Sequence, residues 1–377
     1  MRPLLKVMLL AVLVCSIADW CGVAREVSAA PEAPTATVAV AGNDFGFRLL
    51  LALNANGAPS NVIVSPLSVS QALTMTYNGA RGSTKTAMAR TLGIVAIDVS
   101  QLNASNRQLL EALRKADPDA RLEIANALWL REGLTVNPEF VALNKDYYGA
   151  EVSNLDFAGD PRRATQIINE WVSRNTKGKI PSIVADLDRD TALVLTDAVY
   201  FKGAWSEVFD LRKSKPREFF GPDGKSATTP MMEQDGVYSY LETKNFQGVR
   251  LPYGNGQFAM YVFLPHAKDG LSKFLKSLDQ SHWTQWTEKF ARSNGKIVLP
   301  KFEVRYGKKL NAALKTMGMG VAFNGGADFS GITPSGVYIS AVDLREGRRA
   351  RHRGRRVDRG DLQPDVAVRF RRMVTII

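Results

Sequence analysis

The chain has 377 residues, 45% of them hydrophobic and 23% charged, which is globular composition and not that of a disordered, collagenous or wholly membrane-embedded protein. Three histidines, His266, His282 and His352, leave little material for a histidine-based metal centre or a nucleophile triad. The net charge of +12 is uneven: residues 343–372 hold eleven arginines against five acidic residues, so a nucleic-acid reading would lean mainly on that stretch.

In chain order, Arg2 and Lys6 precede an apolar run from Val7 to Ile17, and Val27-Ser28-Ala29 supplies small residues suited to signal peptidase. This order of charge, apolar run and small residues predicts a secretory signal over residues 1–29, with an uncleaved anchor as the alternative. Both cysteines, Cys15 and Cys21, fall inside it, so the mature chain would carry neither thiol nor disulfide. Trp20 stands where a lipid-modified cysteine usually has a small residue, which argues against a lipoprotein. Ala30 to Val38, rich in Ala, Pro and Thr, reads as a linker.

Phe45, Leu49 and Leu53 then recur at helix spacing, and Asn61 to Val64 reads as a short apolar strand. Ser65-Pro66 opens the next helix, with serine as N-cap and proline in the first turn, where a missing N–H costs nothing; that helix should end near Gly79. Strands are predicted over 122–130, 192–201, 258–264, 296–306 and 337–342, and helices over 140–147, 167–174 and 310–317. No regular strand–helix alternation or fixed repeat is present, so the fold class is α+β.

Several stretches suggest chemistry that their spacing does not support. Gly221-Pro-Asp-Gly-Lys-Ser226 ends like a phosphate-binding loop, but two residues separate the glycines where four are required, and a hairpin turn is expected instead. Asn324-Gly-Gly326 lacks dinucleotide-loop spacing, and Gly331-Ile-Thr-Pro-Ser-Gly336 is not a nucleophile elbow. Asp197 differs from these because it interrupts the near-continuous apolar run from Ala192 to Phe201. A buried carboxylate there needs hydrogen-bond partners; the alternatives are a solvated strand end or a polar cluster beneath a sheet.

The run from Asn61 through Ser65-Pro66-Leu-Ser68 to Leu73, followed by Gly79-Ala-Arg-Gly-Ser-Thr84, closely resembles the early helix of the serpins, a family of serine-protease inhibitors. Further similar stretches follow in the family's order: 125–129, 167–172, 176–180, 196–205, 249–253, 299–302 and 327–332. The resemblance covers about residues 40–342. It implies one large domain built on a central sheet A, with smaller sheets and surrounding helices. It also implies a protein that is not an enzyme and whose partner is a serine protease; with the signal segment, a secreted monomer without cofactor is expected. In that family a protease cleaves an exposed reactive loop, which enters sheet A as an extra strand and drags the acylated protease away. Ser65 and Ser68 match the polar cluster called the shutter, under the point where the sheet opens. Asp197 stands where the family usually has Asn, and an ionised carboxylate accepts hydrogen bonds but donates none.

The likeness stops after Val342. Where the family continues with a His-Lys pair, a strand, an acidic turn, the hinge Gly-Thr-Glu-Ala-Ala-Ala, the reactive loop and core-completing strands, this chain runs Asp343-Leu-Arg-Glu-Gly-Arg-Arg-Ala350 into further arginines. The segment from Arg351 to Asp361 can be encoded, with free choice of synonymous third bases, so that reading one base later gives Gly-Thr-Glu-Ala-Ala-Ala-Ser-Thr-Ala-Val-Thr. A frameshift near Val342 is therefore inferred, leaving residues 39–342 as an incomplete serpin domain. Residues 343–377 are expected to be a disordered Arg-rich tail without hinge or reactive site, binding polyanions weakly through charge alone. Inhibition should be absent; a non-inhibitory serpin-like binder, or polyanion binding through the tail, are the alternatives.

Overall fold

The computed structural model describes residues 10–12, 34–55, 61–220, 226–267, 269–350 and 360–372. Helix α1 (Pro34–Asn54) starts inside the expected linker, because Pro34 in the first turn fixes φ without removing a needed hydrogen bond. By length and composition its Thr35–Asn54 stretch could cross a membrane, yet Phe45 and Leu49 are fully buried in the main core, as in a core helix. Helix α2 (Pro66–Tyr77) begins at Ser65, whose hydroxyl accepts from the Ser68 N–H. Residues 61–64 are not a strand: among the described residues no neighbouring strand offers them a ladder.

Helices α3 (Gly82–Leu92) and α5 (Pro138–Tyr148) stop at left-handed Gly93 and Gly149, while α4 (Val99–Lys115) and α6 (Pro161–Asn175) start on Asp98 and Asp160 caps. Shorter helices α7 (Leu271–Lys276), α8 (Gln280–Glu288) and α9 (Asn311–Leu314) follow. The strands are β1 (Leu10–Val12), β2 (Ala120–Arg131), β3 (Glu151–Leu155), β4 (Thr191–Gly203), β5 (Lys215–Phe220) and β6 (Ser226–Glu242). After them come β7 (Phe246–Tyr253), β8 (Phe258–Pro265), β9 (Ala291–Pro300), β10 (Phe302–Lys309), β11 (Val337–Ala350) and β12 (Gly360–Arg372). The single strand expected over 296–306 is thus two, parted at Lys301. The five residues of the expected hairpin turn at 221–225 lie outside the described residues, but the strands flanking them pair as Phe220↔Ser226.

Two six-stranded sheets organise the molecule. The first runs β10-β11-β12-β4-β2-β3, antiparallel except for β2 with β3; the second runs β1-β8-β7-β6-β5, with β9 also on β6. The main core lies between the sheets and α1, α2, α3 and α4. On the opposite face of β2 and β4, helix α6 packs Ile168, Trp171 and Val172 beside Trp129. There the Trp129 Nε1–H donates to Thr196 Oγ1 at 3.1 Å, and the Trp171 Nε1–H donates to Glu151 at 2.9 Å. A third cluster joins β7 and β8 to α8 through Phe246, Tyr261, Phe263, Trp283 and Trp286.

Motifs far apart in the chain meet in space. The Arg81 N–H donates to Asp328 O at 2.9 Å, the Gly331 N–H to Gly79 O at 3.1 Å, and the Asp328 N–H to Thr84 Oγ1 at 2.9 Å. Gly79 is required by this approach, since a Cβ there would lie 2.1 Å from Ile332 Cγ1.

The C-terminal stretch corrects the expectation of disorder. Residues 343–350 extend β11, and residues 360–372 form β12 between β11 and β4; residues 351–359 and 373–377 lie outside the described residues. Composition argues for disorder through side chains, whereas β12 is held by backbone ladders on both sides. Without it, long edges of β4 and β11 would keep unpaired N–H and C=O groups. Val366, Val368 and Phe370 also alternate with Ala367, Arg369 and Arg371, the period of a strand. Among the described residues no strand beyond Val342 joins the second sheet.

Candidate functional site

The position of interest is the middle of the first sheet, where β12 separates β4 from β11. Its register there runs Leu344↔Val366 on one side and Val366↔Asp197 on the other, and Asp197 in turn faces Asn126 of β2. The ladder to β11 is continuous from Asp361 to Val366, but that to β4 lapses at Gln363 and Pro364, where proline offers no N–H.

Helix α2 packs beneath β4 and β12 and brings up the two serines. Ser65 donates its hydroxyl to Ser68 Oγ at 3.1 Å and accepts the Ser68 N–H at 3.3 Å, while Ser68 is fully buried. Asp197 is completely buried too, and among the described residues neither carboxylate oxygen has a hydrogen-bond partner. Burial pushes its pKa well above the ordinary carboxylate range, and the nearby Ser68 hydroxyl opposes that rise. Asp197 is thus buried and not at a solvated strand end, Ser68 lies beside it and Ser65 bonds to Ser68, and burial favours the neutral form of the carboxyl.

The polar cluster is larger than the sequence suggested. The Asn126 amide donates to Tyr148 O at 2.9 Å, the Tyr148 hydroxyl to Asn103 Oδ1 at 2.7 Å, and the Gln71 amide to Asn106 Oδ1 at 2.7 Å. Asn78 and Asn103 exchange amide bonds at 3.2 and 3.0 Å. Burial raises the Tyr148 phenol well above its usual range. Gln71 Oε1, Asn126 Oδ1 and Asn144 Oδ1 are buried acceptors without donors among the described residues. Asn126 had the same signal as Asp197, a polar residue inside an apolar strand. Asn103 and Asn106 needed the helix phase of α4, which places both on its buried face.

Of the three histidines, His282 pairs with Asp279 at the start of α8 and His266 with Glu242; His352 lies outside the described residues. No group of three or more metal-binding side chains occurs among the described residues.

The arrangement is that of a large sheet protein whose central sheet holds an added strand over a buried polar seam. The sequence profile of the Serpin (serine protease inhibitor) family matches residues 40–343, and the chain belongs to that family. Iripin-2 from Ixodes ricinus is 32% identical over 80% of this chain and 77% of its own length. The leukocyte elastase inhibitor of Xenopus laevis is 33% identical over 79% of this chain and 81% of its own. Among solved structures, lamprey angiotensinogen with its reaction loop cleaved superposes with a TM-score of 0.83 at 27% identity, over 90% of this chain and all of that one. The α+β fold with a central sheet, a second sheet and enclosing helices is the serpin fold. The family match ends within one residue of Val342, where the motif resemblance ends.

Proposed function

We propose that the chain is an exported serpin derived from an inhibitor of serine-type endopeptidases, and that in this form it does not inhibit. The observation that carries the reading is β12: the gap an inhibitory loop would enter is already filled by residues 360–372, laddered to β4 and β11. The residues before it, Asp343 to Arg359, contain three acidic and three apolar positions among eight arginines and no run of small side chains of the kind a hinge needs. Ser65, Ser68 and Asp197 act as the shutter, the polar floor over which the added strand lies. A frameshift near Val342 explains both the abrupt end of the likeness and the out-of-frame hinge.

Relatives named as inhibitors support the ancestral activity, with the elastase inhibitor pointing to a serine protease as the partner class. Incubating the 377-residue chain with trypsin-, chymotrypsin- and elastase-like proteases should yield no complex stable on a denaturing gel. Restoring the frame near Val342 should return the hinge, and with it complex formation if a full loop lies downstream. A high-mass covalent complex from the unrepaired chain would overturn this reading.

Export rests on the charge, apolar and small-residue order of residues 1–29. Secreted protein should therefore begin near Ala30 when sequenced from its N-terminus; a start at Met1 would rule out cleavage.

A further inference from the structure

Strand β8 has the composition of a sheet interior but the position of a sheet edge. Its residues from Phe258 to Phe263 are all buried: Phe258, Met260 and Val262 face the main core, and Ala259, Tyr261 and Phe263 face the aromatic cluster under α8. Edge strands are usually protected by charge, proline or a bulge, yet no charged residue occurs between Phe258 and Leu264, and Pro265 only closes the end. One side of β8 pairs with β7 along its whole length, from Tyr253↔Phe258 to Phe246↔Pro265. On the other side, β1 pairs antiparallel as Leu10↔Phe263, Ala11↔Val262 and Val12↔Tyr261. Beyond that, Phe258 to Met260 have no strand on this side among the described residues, so the edge is longer than the strand seated on it.

We propose that the outer edge of β8 is a peptide-binding site that takes an extended, uncharged apolar segment by antiparallel strand addition. The N-terminal segment around Leu10–Val12 is its occupant in cis and displays the mode of binding. Backbone groups of β8 supply affinity without regard to sequence, and the absence of charge along Phe258 to Leu264 selects apolar strands. Removal of residues 1–29 on export opens the edge to such a segment in trans. This inference does not depend on what fills the first sheet.

The test uses the full 377-residue chain and its Leu10→Pro/Ala11→Pro variant. Successive strand residues point their N–H groups to opposite sides, so one of the two prolines must remove a bond to β8. Amide exchange should speed up by about tenfold or more in the variant at those of Tyr261, Val262 and Phe263 whose N–H groups point towards β1, while their neighbours bonded to β7 keep their protection. Protection should return on adding a peptide of sequence Val-Met-Leu-Leu-Ala-Val-Leu-Val flanked by lysines, and should spread to whichever of Ala259 and Met260 points its N–H away from β7. The same peptide with prolines at its centre should do nothing. Unchanged exchange between parent and variant, or no rescue by the peptide, overturns the site. Protection that returns with protein concentration alone makes a second copy the occupant and overturns the peptide assignment. Independently of the prolines, Ala11→Cys with Val262→Cys, in a Cys15→Ser/Cys21→Ser background, should oxidise to a disulfide more readily than Ala11→Cys with Met260→Cys. Equal yields would refute the register.

Discussion

Asp197 concentrates the physics of the site in one side chain. Its ordinary value is 3.8, and burial in the folded chain raises it well above that. Between the two values the folded form keeps a proton that the unfolded form has lost. Stability from this group is therefore complete below the unfolded value and declines as pH rises through the folded one. Replacing Asp197 with Asn removes the titration and puts a donor among the unpartnered acceptors, Asn126 Oδ1 being on the facing strand position. The variant should be more stable by about 1 kcal/mol or more at neutral pH, with the gain growing from pH 5 to pH 8. Chemical denaturation across that range measures it, and a difference that does not change with pH would mean that the carboxyl is not neutral in the fold.

Among the elements, those carrying a complete local signal were legible in the sequence. Ser65-Pro66 announced α2 because cap and proline are local chemistry, and β4 and β8 stood out because strands buried on both faces read as near-continuous apolar runs. β6 and the first half of β9 did not, β9 being exposed from Ala291 to Lys296 with little apolar content there. Asn61 to Val64 had apolar content but no partner strand among the described residues, and it stayed irregular. β12 was illegible for a different reason: arginines argued for solvent, while the ladders that hold it belong to β4 and β11 and leave no trace in its own composition. If those ladders form in solution, Val368→Pro must forfeit a hydrogen bond to one neighbour or the other, as Val368 pairs with Leu195 on β4 and Val342 on β11. Midpoints in urea should fall by an amount equivalent to about 1 kcal/mol or more, and amides of β4 should exchange faster. An unaltered midpoint would place residues 360–372 outside the sheet.

For the whole molecule, the filled sheet fixes how the chain should respond to cutting. A serpin that holds its loop outside the sheet gains a central strand when that loop is cleaved and enters, and the added ladders and packing raise its melting temperature. Here the strand is already in place, paired on both sides, so a cut before it releases nothing that could insert. The connection between β11 and β12, residues 351–359, offers trypsin five arginines: Arg351, Arg353, Arg355, Arg356 and Arg359. Limited trypsin treatment that nicks this connection should leave the melting temperature unchanged or slightly lowered, because the cut relaxes a loop closure of modest entropy. The same treatment of a frame-restored chain should raise it. Mass spectrometry of the nicked product, still associated as two fragments under native conditions, would identify β12 as the piece retained. A marked rise in melting temperature after nicking the 377-residue chain would mean that its central sheet was open in solution and that β12 enters only after cleavage.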